Sequence, residues 1–365
     1  MPAPSTSSPS QKPLRRAQFG ERLQLARKMS GLSYQGLADK LSGLVTKQAL
    51  HKYELGKMSP DSEKLIAFAN ALNVTVDFFY RKDTVQLEEV EFRKRKALTA
   101  THEVAIKTTV RDRMARYIEL ERIVNDEQRF KDPLAAKSCS TGDEAEALAA
   151  QVRKAWGLGR QPIISVYELL EEHAIKVIEW EGPEKFFGLH AKVDGHVVIV
   201  VNSIHNNVMK RFTAAHELGH ALLNPPKDMA EDDKEKLCHR FAAALLIPAD
   251  EFIREIGEKR PKLWLEELVI LKQYWGISIS ALMRRALDLD VIKPNLYKWL
   301  CIQYNRQHWR DKEPGEFMYK EHTARFKQLL LHALAQEAIS LGQAASLVNM
   351  KMGVFRRYIL ETERT

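Results

Sequence analysis

The stretch RFTAAHELGHALL, residues 211–223, and the stretch EKLCHRFAAALLIP, residues 235–248, decide how this chain is read. The first contains His216-Glu217-x-x-His220. On a helix, positions four apart share a face, so both imidazoles can point at one ion. Glu217 sits beside that face, within reach of a water held by the ion, whose pKa a divalent metal lowers towards about 7. Phe212, Ala215, Leu218, Leu222 and Leu223 surround the motif at helical spacing, which predicts a buried and therefore rigid helix. A third ligand is required. An extended motif would need Gly at Leu223 and His at Pro226, so that arrangement is excluded. A following helix is the remaining source, and Glu231, Glu235, Cys238 and His239 are the liganding types near its start. Pattern alone leaves these four open.

Working outward, Leu189–Val193 and His196–Val201 are two β-rich runs separated by Asp194-Gly195, a hairpin signal. A strand over Ile175–Trp180 precedes them. Thr141 with Glu144, and Ser165 with Glu168, have capping-box spacing and open two helices, the first ending near Trp156 and Gly157. Residues 131–142 (KDPLAAKSCSTG) read as a loop and the main domain boundary. Everything beyond Asn202 reads as helical. His190, Tyr167 and His239 are candidates to stabilise an oxyanion opposite the metal. Cys139, just before the domain, is expected to be an ordinary loop cysteine, the alternative being a thiolate occupying the open metal position.

The chain has 365 residues, which suggests two or three domains. Its 45% hydrophobic and 28% charged residues exclude a wholly disordered chain. No apolar run reaches the roughly 18 residues of a spanning helix, and the N-terminus lacks the apolar core of a secretory signal. Three cysteines make no disulfide framework, so the expectation is a cytoplasmic chain with reduced thiols. Net charge is +8, and residues 1–81 carry 12 Lys and Arg against 6 Asp and Glu, so most of the excess lies there. A basic lobe on a near-neutral body points to a polyanion. The run Arg93–Lys96 (RKRK) is read as a solvated helix face.

Within the basic lobe, Leu23, Ala26, Leu32, Leu37, Ala38, Leu41, Val45, Leu50, Leu65, Ala69 and Leu72 supply a helical core. Ser33 and Thr46 are N-caps of two short helices joined by Ser42-Gly43-Leu44, a helix-turn-helix signature. In that geometry the second helix enters the major groove: Lys47, Gln48 and His51 face base edges and Lys52 a phosphate, with the cap Thr46 counted among the DNA-binding residues.

The residues GLSYQGLADKL (31–41) and TKQALHKYELGKMSPDSEKLIAFANALNVTVDFF (46–79) resemble the Xre/phage-repressor helix-turn-helix family. Tyr34 departs from the glutamine usual there, and the turn is about two residues longer. Phe212-Thr213-x-Ala215-His216-Glu217-Leu218-Gly219-His220, followed by Glu235-x-x-Cys238-x-x-Phe241-Ala242-x-x-Leu245-Leu246-x-Pro248, resembles the ImmA/IrrE metallopeptidase family. Gly188, Val200-Val201-Asn202, Leu271-Lys272, Ser278, Ala281-Leu282 and Arg285 extend the likeness over about residues 143–300. That resemblance implies zinc held by His216, His220 and Glu235, with Glu217 as general base and Cys238 as packing. It also implies limited cleavage of a helix-turn-helix repressor, releasing stress, repair, mobile-element or phage-defence genes. The expected fold is multidomain and mainly α: an all-α helix-turn-helix domain, an α+β zincin-like peptidase domain and a helical C-terminal region. The expected divisions are a flexible tail (1–17), a DNA-binding domain (18–81), a helical linker (82–140), the peptidase domain (141–305) and C-terminal helices (306–365). Expected partners are double-stranded DNA and a protein substrate, without membrane contact, and with homodimer pairing on a two-fold site as the usual arrangement of such domains. The alternative reading is a DNA-binding regulator or antitoxin in which the peptidase fold senses, or processes its own chain within residues 82–140. Ser340–Val348 resembles the first half of another small helix-turn-helix, expected to cap the core or meet a partner.

Overall fold

The computed structural model describes residues 11–81, 90–92, 98–310 and 312–362. Of the expected tail, residues 1–10 lie outside the described residues, and a helix, α1 (Gln11–Met29), has already begun by residue 11. Pro13 falls in its first turn, where a missing N–H costs no bond. The run Arg93–Lys96 also lies outside the described residues. Four more helices follow: α2 (Tyr34–Lys40), α3 (Lys47–Glu54), α4 (Ser62–Ala71) and, after a 3-10 turn at Asp77–Tyr80, α5 (Ala100–Ile123). Ser33, Thr46, Asp61 and Thr99 cap four of them, each side-chain oxygen accepting a first-turn N–H. The apolar positions read from the sequence close one core, with Leu23, Leu37, Leu50 and Phe68 fully buried and Phe19 and Phe79 packed among them. A buried ion pair spans this core: Arg27 Nε and Nη2 donate to the two Glu54 oxygens at 2.6 and 2.8 Å. Tyr34 joins it, donating its hydroxyl to Glu54 at 2.8 Å while its ring lies 4.0 Å under the Arg27 guanidinium. The unusual tyrosine therefore completes a charge network that fixes α2 against α3.

The next region is α+β. Helix α6 (Gly142–Ala155) opens on the Thr141–Glu144 capping box. Helix α7 (Val166–Glu172) is capped by Ser165, but the carboxylate serving its first turn is Glu321, which accepts from Val166 and Tyr167 N–H at 3.1 and 2.9 Å. The strands are β1 (Val90–Phe92), β2 (Lys176–Trp180), β3 (Gly188–Val193) and β4 (His196–Asn202), in the order β1-β3-β4-β2. β3 and β4 form the expected antiparallel hairpin across Asp194-Gly195, both at positive φ, and β2 runs parallel to β4. β4 is buried along its whole length, as its unbroken apolar run requires. Six helices follow, of which α8 packs on β3 and β4: α8 (Asn207–Leu222), α9 (Glu231–Leu246), α10 (Ala249–Ile256), α11 (Leu265–Trp275), α12 (Ile279–Asp288) and α13 (Pro294–Arg306). The architecture is multidomain and mainly α, with one small sheet.

The chain ends in α14 (Arg325–Ala335), α15 (Leu341–Leu347) and α16 (Met352–Thr362). Leu329, Leu330, Ala333, Ala344, Leu347 and Phe355 bury against Tyr117 and Leu120 of α5. Arg116 of α5 donates to Leu347 O at 2.8 Å, and Thr75 N–H to Asn349 Oδ1 at 3.1 Å. The described residues thus form two compact units. One draws on Met1–Val90, Leu98–Glu127 and Phe326–Thr365, the other on Glu91–Ala97 and Gln128–Arg325. The helix-turn-helix-like turn after α15 is used for packing within the first unit. No described helix is long and apolar enough to cross a membrane.

Candidate functional site

Helix α8 begins at Asn206, whose side chain caps it, and it is anchored by Arg211. That guanidinium is fully buried beside Glu321, at 2.7 Å, and donates to the carbonyls of Ile163, Ile164 and Gly276. An ion pair removed from water this way holds position well, because losing either partner strands a buried charge. One and a half turns further on, His216 and His220 point to the same side. Helix α9 crosses α8 there, and Gly219 permits the crossing: a Cβ at that position would meet Phe241 and Cys238 at 3.2 to 3.4 Å.

The crossing brings Glu235 of α9 onto the two imidazoles. Its carboxylate oxygens lie 3.1 Å from His216 Nε2 and 3.2 Å from His220 Nε2, and the two Nε2 atoms are 3.1 Å apart. Ligands about 2.0–2.1 Å from a tetrahedral ion sit about 3.3 Å from one another, so the donor set fits zinc in number, type and spacing. Burial lowers the His220 pKa, which favours the neutral ring that coordinates metals. Among the described residues these three are the group of potential ligands that converges. The other sequence candidates are placed elsewhere: Glu231 pairs with Lys234 on the surface, and His239 packs its ring between Phe212 and His216.

Glu217 is buried on the sheet side of α8. Gly188 at the start of β3 lets the strand approach α8, since a Cβ there would clash with Thr213 at 2.6 Å and the Val200 carbonyl at 2.7 Å. His190, on the same strand, has Nδ1 at 3.8 Å from Glu217 Oε2 and its ring parallel to His220, with centroids 5.7 Å apart. Of the three oxyanion candidates, His190 and His239 therefore flank the His216, His220 and Glu235 group. Tyr167 is buried, and desolvation, with Glu179 and Glu321 nearby, pushes its phenol far above the usual range. Cys139 is a buried loop residue whose N–H donates to Asn224 O, and desolvation pushes its thiol up to about 11. It is a protonated thiol with no place in the converging group.

Residues 170–287 match the family model for the IrrE N-terminal-like domain, and residues 23–79 match that for the helix-turn-helix. The chain joins a helix-turn-helix domain to an IrrE-like domain. Three curated proteins share shorter stretches. An SPbeta prophage-derived uncharacterized HTH-type transcriptional regulator, YonR of Bacillus subtilis, is 40% identical over 70 residues, 19% of this chain and 63% of its own length. The uncharacterized HTH-type transcriptional regulator YqaE of the same organism is 38% identical over 66 residues, 18% of this chain and 55% of its own. The uncharacterized immunity region protein 2 of Bacillus phage phi105 is 32% identical over 91 residues, 22% and 58%. The chain thus spans between about half and two thirds of these relatives.

In the helix-turn-helix domain, Thr46, Lys47, Gln48, His51 and Lys52 are all exposed along one side of α3. Leu50 and Tyr53 fill the opposite side, so the polar face is set by burial of the other. The long turn before α3 is pinned by Val45, which is buried. His51 is held by Tyr34, ring against ring at 5.6 Å, so the tyrosine that completes the core network also orients a side chain of the outward face.

Sequence reasoning missed two contributors. Glu321 lies 110 residues from Arg211, and no local pattern joins them. Arg211 itself carried a signal, being a cation inside an otherwise apolar helix face. Cys238, read as packing, has its sulfur 3.2 Å from His220 Nδ1; its position three residues after Glu235, on the same face of α9, was the available clue.

Proposed function

We propose that the IrrE-like domain is a zinc-dependent endopeptidase of the cytoplasm and that the helix-turn-helix domain brings it to DNA, where it cuts a transcriptional repressor. The observation carrying this reading is the convergence of His216, His220 and Glu235 at 3.1 to 3.2 Å beside buried Glu217. When bound, zinc supplies a Lewis acid for the scissile carbonyl and water of lowered pKa. Glu217 takes the proton of the attacking water and passes it to the leaving amine. His190 faces the same space from β3 and donates to the carbonyl oxygen as charge develops. The place beside β3 is already taken by β1, so a substrate backbone adds there as a strand by displacing β1.

Zinc-loaded protein is incubated with helix-turn-helix repressors encoded beside its gene, and fragments are read by mass spectrometry. The wild type should cut one of them, and Glu217→Gln should hold zinc and leave all intact. Equal cutting by both removes Glu217 from the mechanism; no cutting by either favours a regulator in which the fold is a sensor. One observation supports a self-processing variant: β1 comes from the stretch between the two domains and lies next to β3 in the sheet. New termini within residues 82–140 of the purified wild type, absent from Glu217→Gln, would establish it.

DNA binding is tested separately by gel shift. Gln48→Ala should cost about 1–3 kcal/mol at one operator position. Lys52→Ala should weaken all sequences alike and reduce the salt slope by about one.

A further inference from the structure

The Nε2 atoms of both histidines face Glu235, so each Nδ1 points away from the ligand cluster. For His216, Nδ1 is buried without a hydrogen-bond partner. For His220, Nδ1 lies 3.2 Å from Cys238 Sγ, on a side chain that is itself buried. A neutral imidazole that offers Nε2 to a metal carries its hydrogen on Nδ1. That N–H therefore donates to the sulfur. In most metal sites a carboxylate or a backbone carbonyl does this work, fixing the tautomer and the plane of the ring. Here the acceptor comes from the same helix that supplies Glu235, three residues on, so α9 delivers both a ligand and the group that orients another.

We infer that Cys238 is a positioning residue for zinc ligand His220, and that zinc affinity depends on a hydrogen-bond acceptor at this position. The inference rests on the metal reading of the site, but not on which bond is cut or whether any is. Sulfur is a weak acceptor, yet it is bulky and polarizable and fills the space beside the ring. The role is not ligation: Sγ contacts the nitrogen on the far side of the imidazole from the converging atoms.

The test is zinc affinity of the full chain, measured by chelator competition on the wild type, Cys238→Ala and Cys238→Ser. Loss of an orienting partner typically weakens a metal about 10–100-fold. Cys238→Ala should fall in that range, and Cys238→Ser, whose hydroxyl accepts, should stay within about threefold of the wild type. Cobalt-loaded wild type should show no sulfur-to-metal charge-transfer band, and the same ligand-field bands should persist in Cys238→Ser. Circular dichroism of the metal-free variants checks the fold; should Cys238→Ala fail to fold, Cys238→Thr repeats the comparison with a hydroxyl acceptor against Cys238→Val without one. Unchanged affinity in Cys238→Ala, equal losses in the Ala and Ser variants, or a charge-transfer band would each overturn the inference. A wild type that takes up no zinc overturns the metal reading and the inference together, whereas a zinc-binding wild type that cuts nothing leaves the comparison to be read as it stands.

Discussion

The outward face of α3 and the crossing of α8 with α9 solve opposite problems. On α3 the working side chains stand in water, and a buried network behind them supplies the rigidity. At the crossing His216, His220 and Glu217 are themselves buried and Glu235 half-buried, and the helices meet so closely that a Cβ at Gly219 would press on Phe241 and Cys238. A surface that reads a groove tolerates mobile side chains, whereas a metal site demands donors held within fractions of an ångström. Substitutions should therefore separate the two regions cleanly, because each draws on its own core.

The largest expected effect is at Glu54. Glu54→Ala leaves the Arg27 guanidinium buried without its partner and should destabilise the first unit by about 3–5 kcal/mol. Chemical denaturation should show it, with DNA binding lost and zinc uptake unchanged. A joint loss of both activities would break the comparison. Next comes Gly219→Val, which pushes a branched side chain into Phe241 and Cys238 and should cost about 1–3 kcal/mol. Here zinc affinity should fall while gel shifts stay as in the wild type. The smallest is Tyr34→Phe. It removes one hydroxyl bond to Glu54, worth about 0.5–1.5 kcal/mol, and frees His51, sharpening how far the core network reaches into the DNA-facing side.

How much of this was legible in the sequence follows the same division. The caps Ser33, Thr46, Thr141 and Ser165 emerged where local side-chain chemistry placed them, because an N-cap is decided within four residues. The hairpin at Asp194-Gly195 and the face of α3 are equally local. His216 and His220 could be paired because helical spacing alone brings them together. Their third partner could not be chosen from Glu231, Glu235, Cys238 and His239 without knowing the rotation of α9 against α8, which the close approach at Gly219 sets. The Arg211–Glu321 pair and the return of α14–α16 onto α5 depend on contacts more than a hundred residues apart, and no short-range pattern encodes them. Tyr34 shows the converse: a local departure from pattern whose reason, Glu54, lies one helix away.

The most direct test of the account is metal stoichiometry. The full chain, stripped and reloaded with zinc, is analysed by native mass spectrometry alongside His216→Ala, His220→Ala and Glu235→Ala. One zinc per wild-type chain, with each variant losing it while still shifting DNA, is the predicted result. Retention of zinc by any of the three, or a wild type that binds none, would contradict it.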